Sequence, residues 1–238
     1  MDFLLLAALL LYLASAFYAV INLVAKTQVS EENTARTNRS LRLLVISGFA
    51  LHTLSLIVSG ITLGHFPVVN PKEMCSFIGW AVVAYYLTLS RRYRARALPV
   101  FVLPSVFLLT LTSLALPQPE VPISGKLAGQ ISANITTQII FPLHVTLLAF
   151  SYAAFVVTVV AGVMYLVQER ELKTKKFGAA FHWLPALNTC DDICYRALTV
   201  GFVLLTLGMA TGLAWSVLTD GRLWHNDPRE VTAVITWG

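Results

Sequence analysis

Six long apolar runs, separated by short polar segments, follow one another along the chain. A helix needs about 20 mostly apolar residues to cross a hydrocarbon core of about 30 Å. The third run is the shortest, but it carries no charge between Met74 and Ser90. The pattern therefore predicts six transmembrane helices, at about residues 3–25, 43–64, 75–90, 97–116, 138–167 and 197–218.

The first run has one feature of a signal peptide, because Ala14-Ser15-Ala16 contains the small residues of a cleavage site. Its first two residues carry no positive charge, however, and the apolar run continues to Val24. Signal peptides have a basic start and a shorter apolar stretch, so we expect an uncleaved membrane anchor.

A seventh helix is predicted to begin at Pro228. Asp227 takes the N-cap position, Pro228 the first helical position, where no amide hydrogen is needed, and Glu230 completes a capping box. From Pro228 to Gly238 the chain has 11 residues, which reach roughly 16 Å, about half of the hydrocarbon thickness. A helix that ends in hydrocarbon leaves carbonyl groups without partners. We therefore expect a truncated sequence, or else a helix end that is shielded by protein.

The basic residues divide unequally between the loops. One set of alternate loops holds 13 of the 17 Lys and Arg residues and the other set holds 4. Lys and Arg beside a span resist translocation, so the N-terminus is predicted to lie outside, together with the loops near residues 65–75, 117–137 and 219–229. The predicted fold is all-α, a polytopic transmembrane bundle of six full spans and the start of a seventh, in a single membrane domain over residues 1–238.

The composition excludes several classes of function. The chain is 57% hydrophobic and 12% charged, about half the roughly 25% charge of a soluble domain, and its mean hydropathy is +0.72. A soluble globular enzyme is therefore not expected. The net charge of +5 is explained by cytoplasmic loops, so nucleic-acid binding is not expected either. No nucleophile, base and orienting group occur in a recognisable order, and we predict no catalytic residue.

Histidines at membrane depth are the main candidates for chemistry, because a polar group there needs a partner. His144 follows Pro142 at the outer end of the fifth run and could be an axial ligand of an iron porphyrin, or an interfacial histidine bonded to backbone or water. His65, at the outer end of the second run, has the same two interpretations. His52 lies deeper in that run, about 220° around the helix from His65, and is predicted to be hydrogen-bonded inside the bundle.

Aromatic residues surround the outer loop at 219–229. Trp215 and Trp224 are either interface anchors or an apolar platform for a flat hydrophobic ligand, with the Asp227 cap fixing the loop. On the cytoplasmic side, Cys190 and Cys194 lack a second pair at zinc-site spacing and are predicted to be structural.

Taken together, these segments resemble the cytochrome c assembly family of haem-handling membrane proteins, of the CcsA type found in the system II maturation pathway. The resemblance runs from about residue 42 to the end of the chain. The motifs that carry it include Gly64-His65-Phe66-Pro67, Leu143-His144-Val145, Leu205-Thr206-Leu207-Gly208, Asp227-Pro228-Arg229-Glu230 and Ile235-Thr236-Trp237. The most specific of these motifs stand in the last part of the sequence.

The resemblance implies a haem-handling function. Haem b would be bound at the outer membrane face, with His144 as an axial ligand of its iron and with His65, Trp215, Trp224 and Asp227 around it. It would then be delivered for covalent attachment to apocytochrome c. A second membrane subunit of the CcsB/ResB type and a place in the bacterial cytoplasmic membrane are also implied. The chain would be an assembly component of a cytochrome c synthetase complex rather than a self-contained enzyme.

The chain departs from the family pattern in two respects. Asn226 and Asp220 stand where the family has tryptophans, so the platform is reduced to Trp224. The family's second outer histidine and a further membrane histidine lie beyond its seventh helix, so this sequence does not supply the opposite axial ligand. An alternative is therefore a regulatory membrane protein of the HemX kind, which would influence tetrapyrrole synthesis without delivering haem.

Overall fold

The computed structural model describes residues 2–25, 31–93, 97–117, 135–175, 183–222 and 228–238. These residues form helices and their connections, with no strand among them. The helices are α1 Asp2–Ala25, α2 Glu31–Leu63, α3 Pro71–Arg92, α4 Leu98–Ala115, α5 Ile135–Thr174, α6 Leu187–Asp220 and α7 Pro228–Trp237.

Six of these helices are long and apolar enough to cross a membrane, as the hydropathy pattern predicts. The protein is therefore a multi-pass membrane protein. Two helices begin earlier than the apolar runs indicate: α2 starts at Glu31 and α6 starts at Leu187. The reason is that backbone hydrogen bonds continue through polar turns beyond the bilayer, whereas hydropathy reports only the part in hydrocarbon.

The helices pack as a row of neighbours. α1 packs against α2 and α4, α3 packs against α4 and α5, and α5 forms its most extensive interface with α6. α7 packs against α6. The central member is α3, because 50% of its most apolar part is buried, against 22% for α2 and for α6. The outward faces of α1, α2 and α6 expose large apolar side chains, as expected of helices whose solvent is lipid.

The start of α3 is a capping box. Pro71 occupies the first turn, and the backbone N–H of Glu73 donates to Asn70 Oδ1 at 2.9 Å. In return, Asn70 Nδ2 donates to Glu73 Oε1 at 2.6 Å, and the backbone N–H of Val69 donates to Glu73 Oε2 at 2.8 Å. The same order of residue types occurs at the start of α7, which begins at Pro228 as predicted. Asp227 itself lies outside the described residues.

Three contacts show which helix ends lie together. Lys72 Nζ lies 3.2 Å from Asp2 Oδ1, and Ser113 Oγ donates to the Lys72 carbonyl at 2.8 Å, so the starts of α1 and α3 meet the end of α4. At the opposite end, the Tyr93 hydroxyl donates to Asp192 Oδ2 near the start of α6. The end of α6 therefore lies at the same end of the bundle as Asp2. We call this the outer end, since the distribution of basic residues predicts that it faces outside.

Candidate functional site

Helices α5 and α6 pack antiparallel in a single register from Phe141 to Phe155 of α5. Phe141 contacts Trp215, with ring centroids 5.6 Å apart. Further along α5, three side chains lie against three glycines of α6, and each step forward on α5 is matched by an equal step back on α6. We call this interface the glycine seam, and its pairs are His144 with Gly212, Leu148 with Gly208 and Phe155 with Gly201.

The glycines are required by the closeness of the two helices. A Cβ atom would lie 2.6 Å from Phe155 Cε1 at Gly201, 2.6 Å from Leu148 Cδ2 at Gly208, and 2.5 Å from His144 Cε1 at Gly212. Real Cβ atoms essentially never approach a neighbour within 3.0 Å. Small residues at a membrane helix interface permit such an approach and bring side chains onto the facing backbone.

The imidazole of His144 is oriented by the backbone of α6. Its Nδ1 lies 2.7 Å from the carbonyl oxygen of Gly208. A carbonyl can only accept, so Nδ1 carries the hydrogen, and in the neutral ring Nε2 then carries the lone pair. Metal-binding histidines are oriented in the same way, with the second nitrogen donating to a carbonyl or carboxylate. Nε2 of His144 is therefore the nitrogen available to a metal.

A second polar side chain of α5 uses the same kind of contact deeper in the seam. Ser151 Oγ donates to the carbonyl oxygen of Gly201 at 2.8 Å, and Ser151 is fully buried. The two hydrogen bonds are about two turns apart and link α5 to α6 on the same face. They join the two helices on the face where His144 meets Gly212.

Trp215 adds an aromatic surface on the outer side of His144. It lies about one turn beyond Gly212 on α6 and packs on Phe141. Its indole Nε1 is buried and finds no hydrogen-bond acceptor among the residues that the structure describes. A buried donor without an acceptor costs about 1–3 kcal/mol. The site thus presents a nitrogen lone pair, an apolar aromatic surface and an indole N–H.

The other residues predicted from the sequence are placed differently. His65 lies after the end of α2, exposed, with Nδ1 donating to the Phe66 carbonyl at 3.0 Å, and none of the described contacts joins it to the glycine seam. Trp224 and Asp227 lie outside the described residues. His52 is fully buried and hydrogen-bonded inside the bundle, as predicted.

The two inner cysteines behave as packing residues. Cys190 Sγ is 3.7 Å from the Pro185 carbonyl and Cys194 Sγ is 3.7 Å from the Thr158 carbonyl, and both thiols are free. Among the described residues, no group of three His, Cys, Asp or Glu side chains could hold a metal ion.

Sequence reasoning missed the partners of His144. The Gly208 carbonyl is a backbone group, and Ser151 gives no sign of its role in an otherwise apolar run. The available signal was the spacing of Gly201, Gly208 and Gly212, which places the three glycines on one face of a helix. That face indicates a close neighbour, but not which neighbour.

Comparison with known proteins places the chain in a family. A family model described as cytochrome C assembly protein matches residues 68–238. The chain belongs to the cytochrome c assembly protein family. The matched range includes both helices of the glycine seam and begins after His65. The resemblance inferred from the sequence motifs is confirmed at the level of the family.

Individual relatives of this cytochrome c assembly protein carry two kinds of name. The chain is 28% identical to cytochrome c biogenesis protein CcsA of Synechococcus sp. (strain RCC307), with 97% of this chain and 76% of the relative covered. It is 27% identical to the CcsA protein of Prochlorococcus marinus (strain AS9601), with 85% and 70% covered. It is also 27% identical to protein HemX of Brevibacillus brevis, with 83% and 70% covered.

Proposed function

We propose that this protein binds haem at the outer end of the α5–α6 pair and delivers it for covalent attachment to apocytochrome c. The observation that carries the proposal is the hydrogen bond from His144 Nδ1 to the Gly208 carbonyl, which leaves Nε2 with its lone pair beside the aromatic residues of the outer end. Membership of the cytochrome c assembly family supports a role in cytochrome c maturation.

The residues at the outer end of the seam suit an iron porphyrin. A porphyrin supplies the equatorial nitrogens itself, so the protein has to add only axial ligands, and one histidine is enough for one side. The flat apolar faces of the macrocycle require apolar contact, which Phe141 and Trp215 offer. The Trp215 N–H would suit a carboxylate or another acceptor on the edge of the cargo.

Haem is cargo in this proposal, and we assign it as haem b because cargo that is still to be attached is held without a covalent bond. His144 would hold the iron. Trp215 would border the macrocycle, together with Trp224 and Asp227 of the outer loop at 219–229, and His65 would approach from the α2–α3 connection. No residue is proposed to act as nucleophile or base, so the role is to bind, orient and present the cargo.

Membership of the family supports a proposal for the cellular setting. We propose that the protein resides in the bacterial cytoplasmic membrane, with the haem site outside, and that it works with a CcsB/ResB-type membrane subunit and an apocytochrome c. Together they would form the synthetase. Residues 1–238 would act as one membrane domain.

A regulatory role of the HemX kind is the second candidate. It is favoured by the relative named HemX, which matches about as well as the CcsA proteins do, and by Asn226 and Asp220 in the outer loop. Deletion of the gene distinguishes the two. Loss of c-type cytochromes supports delivery, whereas altered tetrapyrrole precursors with normal cytochromes support regulation.

A haem assay on purified protein tests the proposal. Wild type, His144→Ala and Ser151→Ala are expressed in parallel, and haem is quantified by the pyridine haemochrome assay. Both variants remove one hydrogen bond to an α6 glycine carbonyl, but only His144→Ala removes the iron ligand. We expect haem in wild type and Ser151→Ala and its loss from His144→Ala. Equal haem in all three would refute His144 as the ligand.

A further inference from the structure

A second histidine, His52, lies away from the glycine seam, where α1, α2 and α3 meet. His52 of α2 is fully buried. Its Nδ1 is 3.3 Å from the Tyr12 hydroxyl of α1, and its Nε2 is 2.9 Å from Ser76 Oγ of α3. A Cβ atom at Gly79 would lie 3.9 Å from His52 Cε1, so α3 approaches the ring closely. Both ring nitrogens are thus engaged.

The partners of His52 differ in kind from the partner of His144. A hydroxyl can donate or accept, whereas a carbonyl can only accept. With hydroxyls on both sides, either neutral tautomer of His52 is satisfied. The imidazolium is satisfied as well, because both hydroxyls can then accept. The surroundings of His52 therefore permit it to gain and lose a proton without breaking a hydrogen bond.

Ser76 also forms part of the wall of a pocket that leads to the outer end. The pocket has a volume of about 30 Å³, and Ser55, Ser59 and Ser113 line it together with Ser76. A cavity of this kind holds water when it offers roughly 10–15 Å³ and several polar partners. Asp2 also lines the pocket, and its side chain is 68% exposed. The pocket therefore extends from Asp2 at the surface to Ser76, the residue whose hydroxyl contacts His52.

The charged side chains around this pocket come from two helices. α1 contributes Asp2 at the rim of the pocket and Tyr12 at the ring of His52. α3 contributes Lys72 and Glu73. Asp2 and Lys72 pair with each other at 3.2 Å, which leaves the carboxylate of Glu73 as the excess charge. The hydroxyl groups of Thr110 and Ser113 on α4 also face this region. Both oxygens of the Glu73 carboxylate already accept hydrogen bonds from the start of α3. Burial of the ring opposes a charge on His52, so protonation has to be supported by the two hydroxyl partners.

We propose that the serine-lined pocket is a water-filled inlet from the outer aqueous phase and that His52 takes up and releases a proton through it. Hydronium in the pocket gives a proton to Ser76 Oγ, while Ser76 gives its own proton to His52 Nε2. The hydronium becomes water and the imidazole becomes imidazolium, with Nδ1–H donating to Tyr12. Release is the reverse. This site is separate from the glycine seam and does not depend on the haem proposal.

Nuclear magnetic resonance of the full chain in lipid nanodiscs tests the protonation. The protein carries ¹⁵N-labelled histidine, and the His52 signals are assigned by their absence from a His52→Gln variant. Histidines ordinarily titrate between about pH 5 and 8, and burial disfavours the charged ring, so the titration is extended to below about pH 5. We expect the two ring nitrogens of His52 to shift reversibly from neutral to imidazolium positions as the pH is lowered. Unchanged His52 signals across this range would overturn the proposal.

Two further variants test the route. Ser59→Leu places an apolar side chain in the pocket, and Ser47→Leu makes the same change on the exposed face of α2. We expect the pH-dependent shift to be lost in Ser59→Leu and kept in Ser47→Leu. A shift that survives in Ser59→Leu would show that the pocket is not the route.

Discussion

The Nδ1 atom of His144 lies 2.7 Å from the carbonyl oxygen of Gly208 on the neighbouring helix. This contact determines which nitrogen carries the hydrogen and which carries the lone pair, because the carbonyl cannot donate. It also depends on glycines, since the ring lies directly on Gly212. The orientation of the proposed iron ligand is therefore a property of the helix pair, and changes on α6 should affect it.

Gly212→Ala should displace the imidazole of His144. The new Cβ would lie 2.5 Å from His144 Cε1, so the ring has to move and its hydrogen bond to Gly208 is disturbed. We expect most of the bound haem to be lost, measured from the Soret absorbance per protein. Gly162→Ala on α5 is the matched control, because a Cβ there meets nothing within 4 Å. Full haem occupancy in Gly212→Ala would contradict the importance of this contact.

Gly201→Ala should weaken the packing of α5 against α6 without touching the haem site. Its Cβ would lie 2.6 Å from Phe155 Cε1, and overpacking of this kind costs about 1–3 kcal/mol. Unfolding in mixed detergent micelles measures the change in stability. Phe155→Ala in the same chain removes the obstacle, so the double variant should lose less than the two single changes together. Strict additivity of the two losses would argue against the contact.

Trp215→Phe should separate haem binding from stability. The ring remains to pack on Phe141, and the indole N–H that lacks an acceptor among the described residues is removed. We expect an unchanged or slightly higher melting temperature together with weaker haem retention during dilution. A lower melting temperature with normal haem retention would mean that the N–H serves the protein and not the cargo.

Asn70→Ala should destabilise the start of α3. The change removes the acceptor for the Glu73 N–H and the donor to the Glu73 carboxylate, and the loss of an N-cap costs about 0.5–2 kcal/mol. Asn70→Ser keeps a capping oxygen and should lose less. Thermal unfolding followed by circular dichroism measures both variants, and equal losses would show that the cap is not the cause.

The helices of this protein could be predicted from the sequence, whereas their contacts could not. A run of apolar residues reports a span because the bilayer imposes its length, and Pro228 could be recognised as a helix start because capping uses side chains close in sequence. The hydroxyl partners of His52 come from positions 40 and 24 residues away. Such partners depend on which helix faces which, and apolar faces alone do not specify this.

His65 shows a different limit of sequence reasoning. The predicted angle of about 220° between His52 and His65 assumes one continuous helix. In the structure α2 ends at Leu63, and Gly64 adopts a φ of 69°, in the left-handed region that glycine readily adopts. His65 therefore leaves the helix, and its direction is set by the loop. Its part in haem binding remains a proposal.

Restoring the ligand with free imidazole tests the central claim most directly. His144→Gly removes the side chain and leaves a space beside Gly212 and the Gly208 carbonyl, which imidazole can enter as a donor and as an iron ligand. We expect the absorbance spectrum of His144→Gly to lack the Soret band, and added imidazole with haem to restore it, while Ser151→Ala retains its band without imidazole. A Soret band of wild-type position and intensity in His144→Gly without imidazole would contradict the assignment of His144 as the haem ligand.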